Sequence, residues 1–173
     1  LTAAEPRPEA QATAAALRAA AGTERPPQPA TALASGVQRT SALAGAHPTA
    51  RLIRDAQPWL PWSDSPAASL QPTALRAIKS IVTLIGPDAP IASESLLFGF
   101  FYQEPGSYYP LHAHEAAEAD TILAGTAQWQ ACDRRLKITP GEAIHPPPNL
   151  PHAMRAGPDG FLALWRWSGD ISF

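Results

Sequence analysis

Three histidines and one glutamate are spaced along this chain in a way that suits a metal site. His112 and His114 are separated by one residue, Glu118 follows four positions later, and His152 comes further along. Residues i and i+2 of a strand point to the same face, so the first two imidazoles can enter one cavity. Imidazole and carboxylate are typical ligands of divalent transition metals. We therefore expect one metal ion bound by these four side chains; the pattern leaves Fe, Mn, Zn, Co and Ni open.

Composition limits the classes of protein to which this chain can belong. It has 173 residues, of which 45% are hydrophobic and 16% charged, which suits one domain or one domain with an appendage. The net charge of −2 gives no basic footprint, so no nucleic-acid partner is expected. No apolar run approaches the roughly 20 residues that span a bilayer, so no membrane is expected either. Cys132 is the single cysteine, which fits a cytoplasmic location.

The two halves of the sequence have different patterns. Residues 1–90 predict a helical region that packs on the second half, with helices over Pro8–Ala21, within Ala30–Ala46 and over Thr73–Ile85. Residues 91–173 predict a small β-barrel of short strands separated by turns. The predicted strands are Ser95–Gln103, Tyr108–His114, Asp120–Leu123, Ala127–Ala131, Arg135–Ile138, Ala143–Pro146 and Phe161–Trp167. The predicted class is thus mainly β, with an N-terminal helical extension.

Two motifs in the second half resemble those of the cupin superfamily. His112-x-His114-x3-Glu118, followed by Leu123-Ala124-Gly125, resembles the first cupin motif. Pro140-Gly141-Glu142 and the later Pro147–His152 segment resemble the second. Asn149 stands where the family often has glycine, and asparagine is the next-best residue for a left-handed turn. The resemblance implies a cupin fold, the small β-barrel also called a double-stranded β-helix.

A closer resemblance is to the bacterial dimethylsulfoniopropionate (DMSP) lyases of the cupin type. It is based on Tyr108–Glu115, Pro151–Met154, Leu164–Trp167 and the helical first half. These enzymes cleave DMSP into dimethyl sulfide and acrylate. The resemblance implies DMSP as a small-molecule substrate and Tyr109 as the catalytic base. It also implies that His114, Glu118 and His152 bind the metal, with His112 adjacent or ligating. Many cupins pair, so a homodimer is an expected assembly.

The substrate's sulfonium group suggests further binding residues. Aromatic faces attract such cations by roughly 0.5–2 kcal/mol. The aromatic residues expected to line the binding site are Tyr102, Tyr108, Trp165 and Trp167. The two tryptophans share strand parity, so both should face one side of the last strand and Arg166 the other.

Position 120 departs from the family pattern, which has a tyrosine two residues after the motif glutamate. Asp120 occupies it here. Asp120 shares parity with Glu118, so it could enter the cavity as a ligand or take part in catalysis, although it is a weaker base than tyrosinate. The departure keeps open the alternative of a weakly active or non-catalytic cupin that binds a small acid. A separate alternative is an iron dioxygenase, because three histidines also suit oxygen chemistry.

Overall fold

The computed structural model describes residues 2–64 and 68–172. The helices are α1 (Pro8–Ala19), α2 (Ala34–Ser41), α3 (Pro48–Ala56) and α4 (Thr73–Arg76). The strands are β1 (Trp62–Ser63), β2 (Lys79–Gly86), β3 (Ile91–Ala92), β4 (Leu96–Gln103), β5 (Tyr108–His112), β6 (Ala117–Ala131), β7 (Arg134–Ile138), β8 (Ala143–Ile144) and β9 (His152–Ser168). Short 3₁₀ helices lie at Thr2–Ala4, Gln57–Trp59 and Ala68–Leu70.

The strands of the described residues join in one mainly antiparallel sheet. The strand order is β1-β2-β4-β9-β6-β7, with β3 on β2, β5 on β9 and β8 on β6. The long strand β9 pairs with β5 through its first part and with β4 through its last part, and β6 pairs with it along both. This pairing wraps the sheet around a shared interior in which side chains from seven strands meet.

A second apolar layer covers the outer face of the sheet. Val37 of α2 and Ile53 of α3 pack there against sheet residues such as Leu123. Because helices cover the outside while the core fills the inside, β4 is buried on both faces. Helices α2 and α3 therefore pack on the sheet. The division of the chain into a helical region (residues 1–90) and a barrel (residues 91–173) remains a prediction.

The predicted helix over Thr73–Ile85 is wrong for most of its length. The helix ends at Arg76, and Lys79–Gly86 forms strand β2 instead. The helical spacing of its apolar residues is misleading, because a strand buried on both faces shows a continuous apolar run. Strand β2 pairs with β1 on one side and β4 on the other, so the sheet begins before residue 91.

The predicted turn at Ala124–Thr126, between the predicted strands Asp120–Leu123 and Ala127–Ala131, is also wrong. Strand β6 runs through these residues, and its register with β9 shifts between Ile122 and Ala124 and again between Gly125 and Ala127. A bulge of this kind inserts residues into one strand and bends it without ending it. The bends allow one strand to follow the curved interior.

The N-terminal segment is tied to the sheet by an ion pair. Arg166 is only 5% exposed and donates two hydrogen bonds to the carboxylate of Glu5, at 3.1 and 2.9 Å. A bidentate pair of this kind is stronger than a single exposed contact. Arg166 points away from the interior, on the opposite face from its two tryptophan neighbours, as strand parity predicts.

Gly99 of β4 lies so close to the backbone of β2 that the position has no room for a side chain, and its substitution tests this pairing. A methyl group at this position would overlap the carbonyl oxygen of Val82, which is backbone and cannot rotate away. We expect Gly99→Ala to lower the free energy of unfolding by about 2–5 kcal/mol in urea denaturation. Gly45→Ala, which meets no atom within 4 Å, is the control and should stay within about 0.5 kcal/mol. Equal stability of the two variants would contradict the β2–β4 packing.

Candidate metal centre and cavity

A cavity of about 480 Å³ lies within the sheet interior. Seven of the residues singled out from the sequence line it: Tyr109, His112, His114, Glu118, Asp120, Trp165 and Trp167. His152 lies directly behind this lining and is 1% exposed. Most of the predicted site residues are therefore brought to one place, and their roles can be considered together.

Three strands and one loop position the four predicted metal ligands. His112 ends β5, His114 follows it in a loop, Glu118 lies on β6, and His152 begins β9. His112 and His152 are register partners across β5 and β9. The His152 loop is also tied to the first motif, because the backbone N–H of Asn149 donates to the carbonyl of His114 at 2.8 Å. Asn149 has φ 61°, which is the left-handed turn expected at this position.

The three imidazoles share one hydrogen-bonding pattern. In each of the three rings Nδ1 lies within hydrogen-bond distance of a backbone carbonyl two residues away. For His112, His114 and His152 the carbonyls belong to Pro110, Ala116 and Leu150, at 2.8, 3.0 and 2.8 Å. A carbonyl can only accept, so each Nδ1 carries the hydrogen and donates it. In a neutral ring this leaves a lone pair on Nε2, which is the form that binds a metal.

The three rings are close together, and two of them lie beside the carboxylate of Glu118. One ligand nitrogen from each ring lies within 4.8 Å of the others. The Oε2 atom of Glu118 is 3.2 Å from Nε2 of His114 and 3.1 Å from Nε2 of His152. Lone pairs this close repel one another unless a proton or a metal cation lies among them. Ligands at about 2.0–2.2 Å from one ion stand roughly 3–3.5 Å apart, so the spacing of Glu118 from His114 and His152 is that of two ligands on one metal ion.

The electrostatics of the cluster keep its acid charged and one of its rings neutral. Burial raises the pKa of Glu118, but His114 and His152, which donate to its carboxylate through Nε2 when they are protonated, lower it by more, so that it lies below its usual range. Its other oxygen, Oε1, accepts a hydrogen bond from the indole of Trp167 at 2.9 Å. Burial, followed by the nearby His152, lowers the pKa of His112 to about 4. A carboxylate and a neutral imidazole are the protonation states that a metal requires.

Tyr109 stands beside this cluster with its hydroxyl held from the other side. Its ring meets that of His112 edge-on, with centroids 4.3 Å apart. Its hydroxyl oxygen accepts a hydrogen bond from the side-chain amide of Gln71 at 2.9 Å. Burial and the charge of Glu118 raise the pKa of Tyr109 to about 12, while the Gln71 bond acts in the opposite direction. Ionisation of this phenol therefore requires a cation nearby.

Asp120 also enters the cavity, as its parity with Glu118 predicts. It is 6% exposed, and its Oδ2 atom has no hydrogen-bond partner among the described residues. Burial, reinforced by the charge of Glu118, raises the pKa of Asp120 well above its usual value. A buried carboxyl group without a donor is costly unless it is protonated or meets a cation.

Of the four aromatic residues predicted to line the binding site, two reach the cavity and two point elsewhere. Trp165 and Trp167 both line the cavity, with ring centroids 5.8 Å apart, and Trp167 stacks on His114 at 4.1 Å. Tyr102 and Tyr108 do not reach the cavity, so their prediction as substrate contacts is corrected. Tyr102 is buried in the outer layer against Gly36, where an added methyl group would overlap its hydroxyl.

Tyr108 is turned outward by the alternation of β5. It is 44% exposed, with the guanidinium of Arg155 4.9 Å from its ring centre. Its neighbour Tyr109 takes the inward position, and on β4 Phe101 does so in place of Tyr102. Because β4 is apolar on both faces, the sequence alone could not show which of its residues points inward.

Sequence reasoning missed three further residues near the cavity. Gln71 and Ile81 line it, and Lys79 lies behind with its ammonium group 5.6 Å from the ring centre of Tyr109. All three belong to the segment that was expected to be helical or connecting. The sequence shows no clear signal for the last two, because β2 is buried on both faces and its residues do not alternate between polar and apolar.

These features define a cupin with a candidate metal centre, and comparison with known proteins agrees. The model of the dimethylsulfoniopropionate lyase family matches residues 9–163. The chain belongs to this family. Its mainly antiparallel sheet and histidine cluster confirm the expected cupin fold and are consistent with the resemblance stated from the motifs.

Individual relatives give the same picture over different lengths. The chain is 39% identical over 89 residues to dimethylsulfoniopropionate lyase DddQ of Ruegeria pomeroyi, covering 51% of this chain and 44% of that protein. It is 31% identical over 100 residues to a putative dimethylsulfoniopropionate lyase DddL of Cereibacter sphaeroides, covering 57% and 42%. The matches thus span less than half the length of these curated relatives.

Solved structures match over nearly the whole chain. The crystal structure of DMSP lyase DddQ from Ruegeria pomeroyi superposes with a TM-score of 0.66 at 30% identity, covering 94% of this chain and 89% of that one. A structure reported with the DMSP lyases RdDddP and RnDddQII gives a TM-score of 0.67 at 24% identity, covering 93% and 90%, which shows the fold. Among the described residues, no helix has both the length and the apolar character needed to cross a membrane.

Lys79 offers a test of the buried electrostatics. It is 3% exposed, its ammonium has no hydrogen-bond partner among the described residues, and burial lowers its pKa from 10.5 to about 8. Asp64 acts against this shift and Arg76 with it. Between pH 8 and 10.5 the unfolded chain holds this proton and the folded chain does not, so folding stability from this group rises with pH.

We expect Lys79→Met to be more stable than the parent protein near pH 7.5, because the buried charge is removed. Its advantage should shrink by about 3 kcal/mol between pH 8 and 10.5, as the lysine of the parent becomes neutral on folding. Urea denaturation across this range measures the difference, since groups common to both proteins cancel. A pH-independent difference would show that Lys79 is not desolvated.

Proposed function

We propose that this protein is a metal-dependent carbon–sulfur lyase that cleaves DMSP to dimethyl sulfide and acrylate by base-promoted β-elimination. The observation that carries the proposal is the convergence of three imidazoles and Glu118 on one point beside Tyr109. Family membership supports the substrate. The cavity volume of about 480 Å³ leaves ample room for a molecule of eight non-hydrogen atoms.

His112, His114, Glu118 and His152 would hold the metal. When bound there, a divalent ion supplies Lewis-acid stabilisation of the negative charge that develops on the substrate carboxylate. Glu118 is suited to this position because Trp167 fixes its second oxygen. The carbonyl contacts of the three Nδ1 atoms fix the ring orientations in the same way.

Tyr109 would act as the base. Its phenolate removes the proton next to the substrate carboxylate, the electron pair forms the carbon–carbon double bond, and the carbon–sulfur bond breaks. Dimethyl sulfide leaves with the electron pair of the broken carbon–sulfur bond, and acrylate keeps the carboxylate. The phenol formed on Tyr109 then releases the proton to water. The pKa of about 12 requires the phenolate to form only when a cation is near. Trp165 and Trp167 provide aromatic faces for the sulfonium.

Asp120 favours a weakly active form of this enzyme. In place of the family's tyrosine it brings a second carboxyl group to the cavity, without a hydrogen-bond donor among the described residues. Its raised pKa makes the protonated acid the stable state in the absence of a cation. We therefore propose that Asp120 leaves the enzyme slower than family members that keep the phenol at this position.

Metal content and activity of ligand variants test the proposal. We expect about one metal per chain after loading, and anaerobic release of dimethyl sulfide that a chelator abolishes. His114→Ala and His152→Ala should each lose most of the bound metal and at least about 100-fold in activity. Mass spectrometry for metals and headspace gas chromatography provide the two measurements.

The control for the ligand variants is His47→Asn. His47 caps α3 by accepting a hydrogen bond from the backbone of Thr49, and asparagine retains that capacity. Metal content and activity should be unchanged. If metal-loaded protein releases no dimethyl sulfide, the proposed lyase activity is refuted. Oxygen uptake with a small organic substrate would favour a dioxygenase.

Position 120 gives a second test of the chemistry. Asp120→Tyr should raise the rate of dimethyl sulfide release about tenfold or more, because it supplies the missing phenol and removes a buried acid. Asp120→Ala is the matched variant, since it removes the acid without adding a phenol. If the parent, the tyrosine variant and the alanine variant all release dimethyl sulfide at the same rate, position 120 takes no part in the reaction.

A further inference from the structure

The hydroxyl of Tyr109 is held by a residue from outside the two cupin motifs. Gln71 lies in the connection between the 3₁₀ helix Ala68–Leu70 and α4, and it lines the cavity. Its amide nitrogen donates to the hydroxyl oxygen of Tyr109 at 2.9 Å. Among the described residues, no other side chain forms a hydrogen bond with that oxygen.

Other contacts restrict the Tyr109 ring but do not fix its hydroxyl. His112 meets the ring edge-on at 4.3 Å, Phe101 lies edge-on at 6.5 Å, and the ammonium of Lys79 is 5.6 Å from the ring centre. These contacts leave the oxygen free to move as the ring tilts. The amide of Gln71 supplies the directional contact, because a hydrogen bond weakens steeply when its angle departs from linear.

We propose that Gln71 is a positioning residue, which places the Tyr109 oxygen for proton removal and makes the N-terminal half a part of the active site. The proposal rests on the function proposed above. It does not require Gln71 to touch the substrate. A base must lie within hydrogen-bond reach of the proton it removes, so a shift of the oxygen of about 1 Å is enough to slow the reaction.

A double-mutant cycle separates positioning from a general structural role. We expect Gln71→Leu to lower kcat about tenfold while KM changes by less than about twofold, because leucine fills the space without donating. In a Tyr109→Phe background the same substitution should change kcat by less than about twofold. Thr73→Val, an exposed neighbour in the same segment, is the control and should match the parent.

Two outcomes of the cycle would overturn the proposal. One is an unchanged kcat in Gln71→Leu. The other is an equal loss with and without the Tyr109 hydroxyl, which would mean that Gln71 acts through another group. Thermal melting of each variant shows whether a loss of activity comes from unfolding.

An NMR measurement tests the contact without using activity. The chain has three tyrosines, so ring-labelled protein gives three ¹³Cζ signals, and the one missing in Tyr109→Phe identifies Tyr109. Gln71→Leu should shift that signal and leave those of Tyr102 and Tyr108 in place. An unmoved Tyr109 signal would refute the contact. A shifted signal in a protein without lyase activity would retain the contact and refute only the function proposed above.

Discussion

The site depends on the repulsion among lone pairs that the fold forces together. Three backbone carbonyls each take the Nδ1 hydrogen of one histidine, which leaves the Nε2 atoms without hydrogens when the rings are neutral. The same fold brings a carboxylate oxygen to about hydrogen-bond distance from two of them. Such a cluster is stable only around positive charge. A divalent cation would satisfy all four groups at once, which supports the proposal that the cavity holds a metal.

The rest of the architecture keeps these groups in place. The pairing of β5 with β9 sets His112 opposite His152, and the long strand β6 brings Glu118 to them from another direction. The helical half covers the outer face of the sheet, so β4 and β9 can be buried on both sides. It also supplies the segment that carries Gln71 to the cavity. The residues proposed as metal ligands and the residue proposed as the base are therefore supported by different halves of the chain.

Much of the site was predictable because its residues lie in two compact motifs. The parity of Glu118 with Asp120 and that of Trp165 with Trp167 follow from strand geometry, whereas His114 reaches the cavity from a loop, because β5 ends at His112. Prediction failed where both faces of a strand are apolar. On β4 the sequence did not distinguish Tyr102 from Phe101, and on β2 a doubly buried strand had the spacing of a helix. Gln71 was missed because a contact between distant segments leaves no periodic signal.

The most direct test of this account is anomalous diffraction from crystals of the protein loaded with a divalent transition metal. The account predicts one strong peak at about 2.0–2.3 Å from the Nε2 atoms of the histidine cluster and from an oxygen of Glu118. A well-occupied peak elsewhere in the molecule, with these side chains unbound, would contradict it.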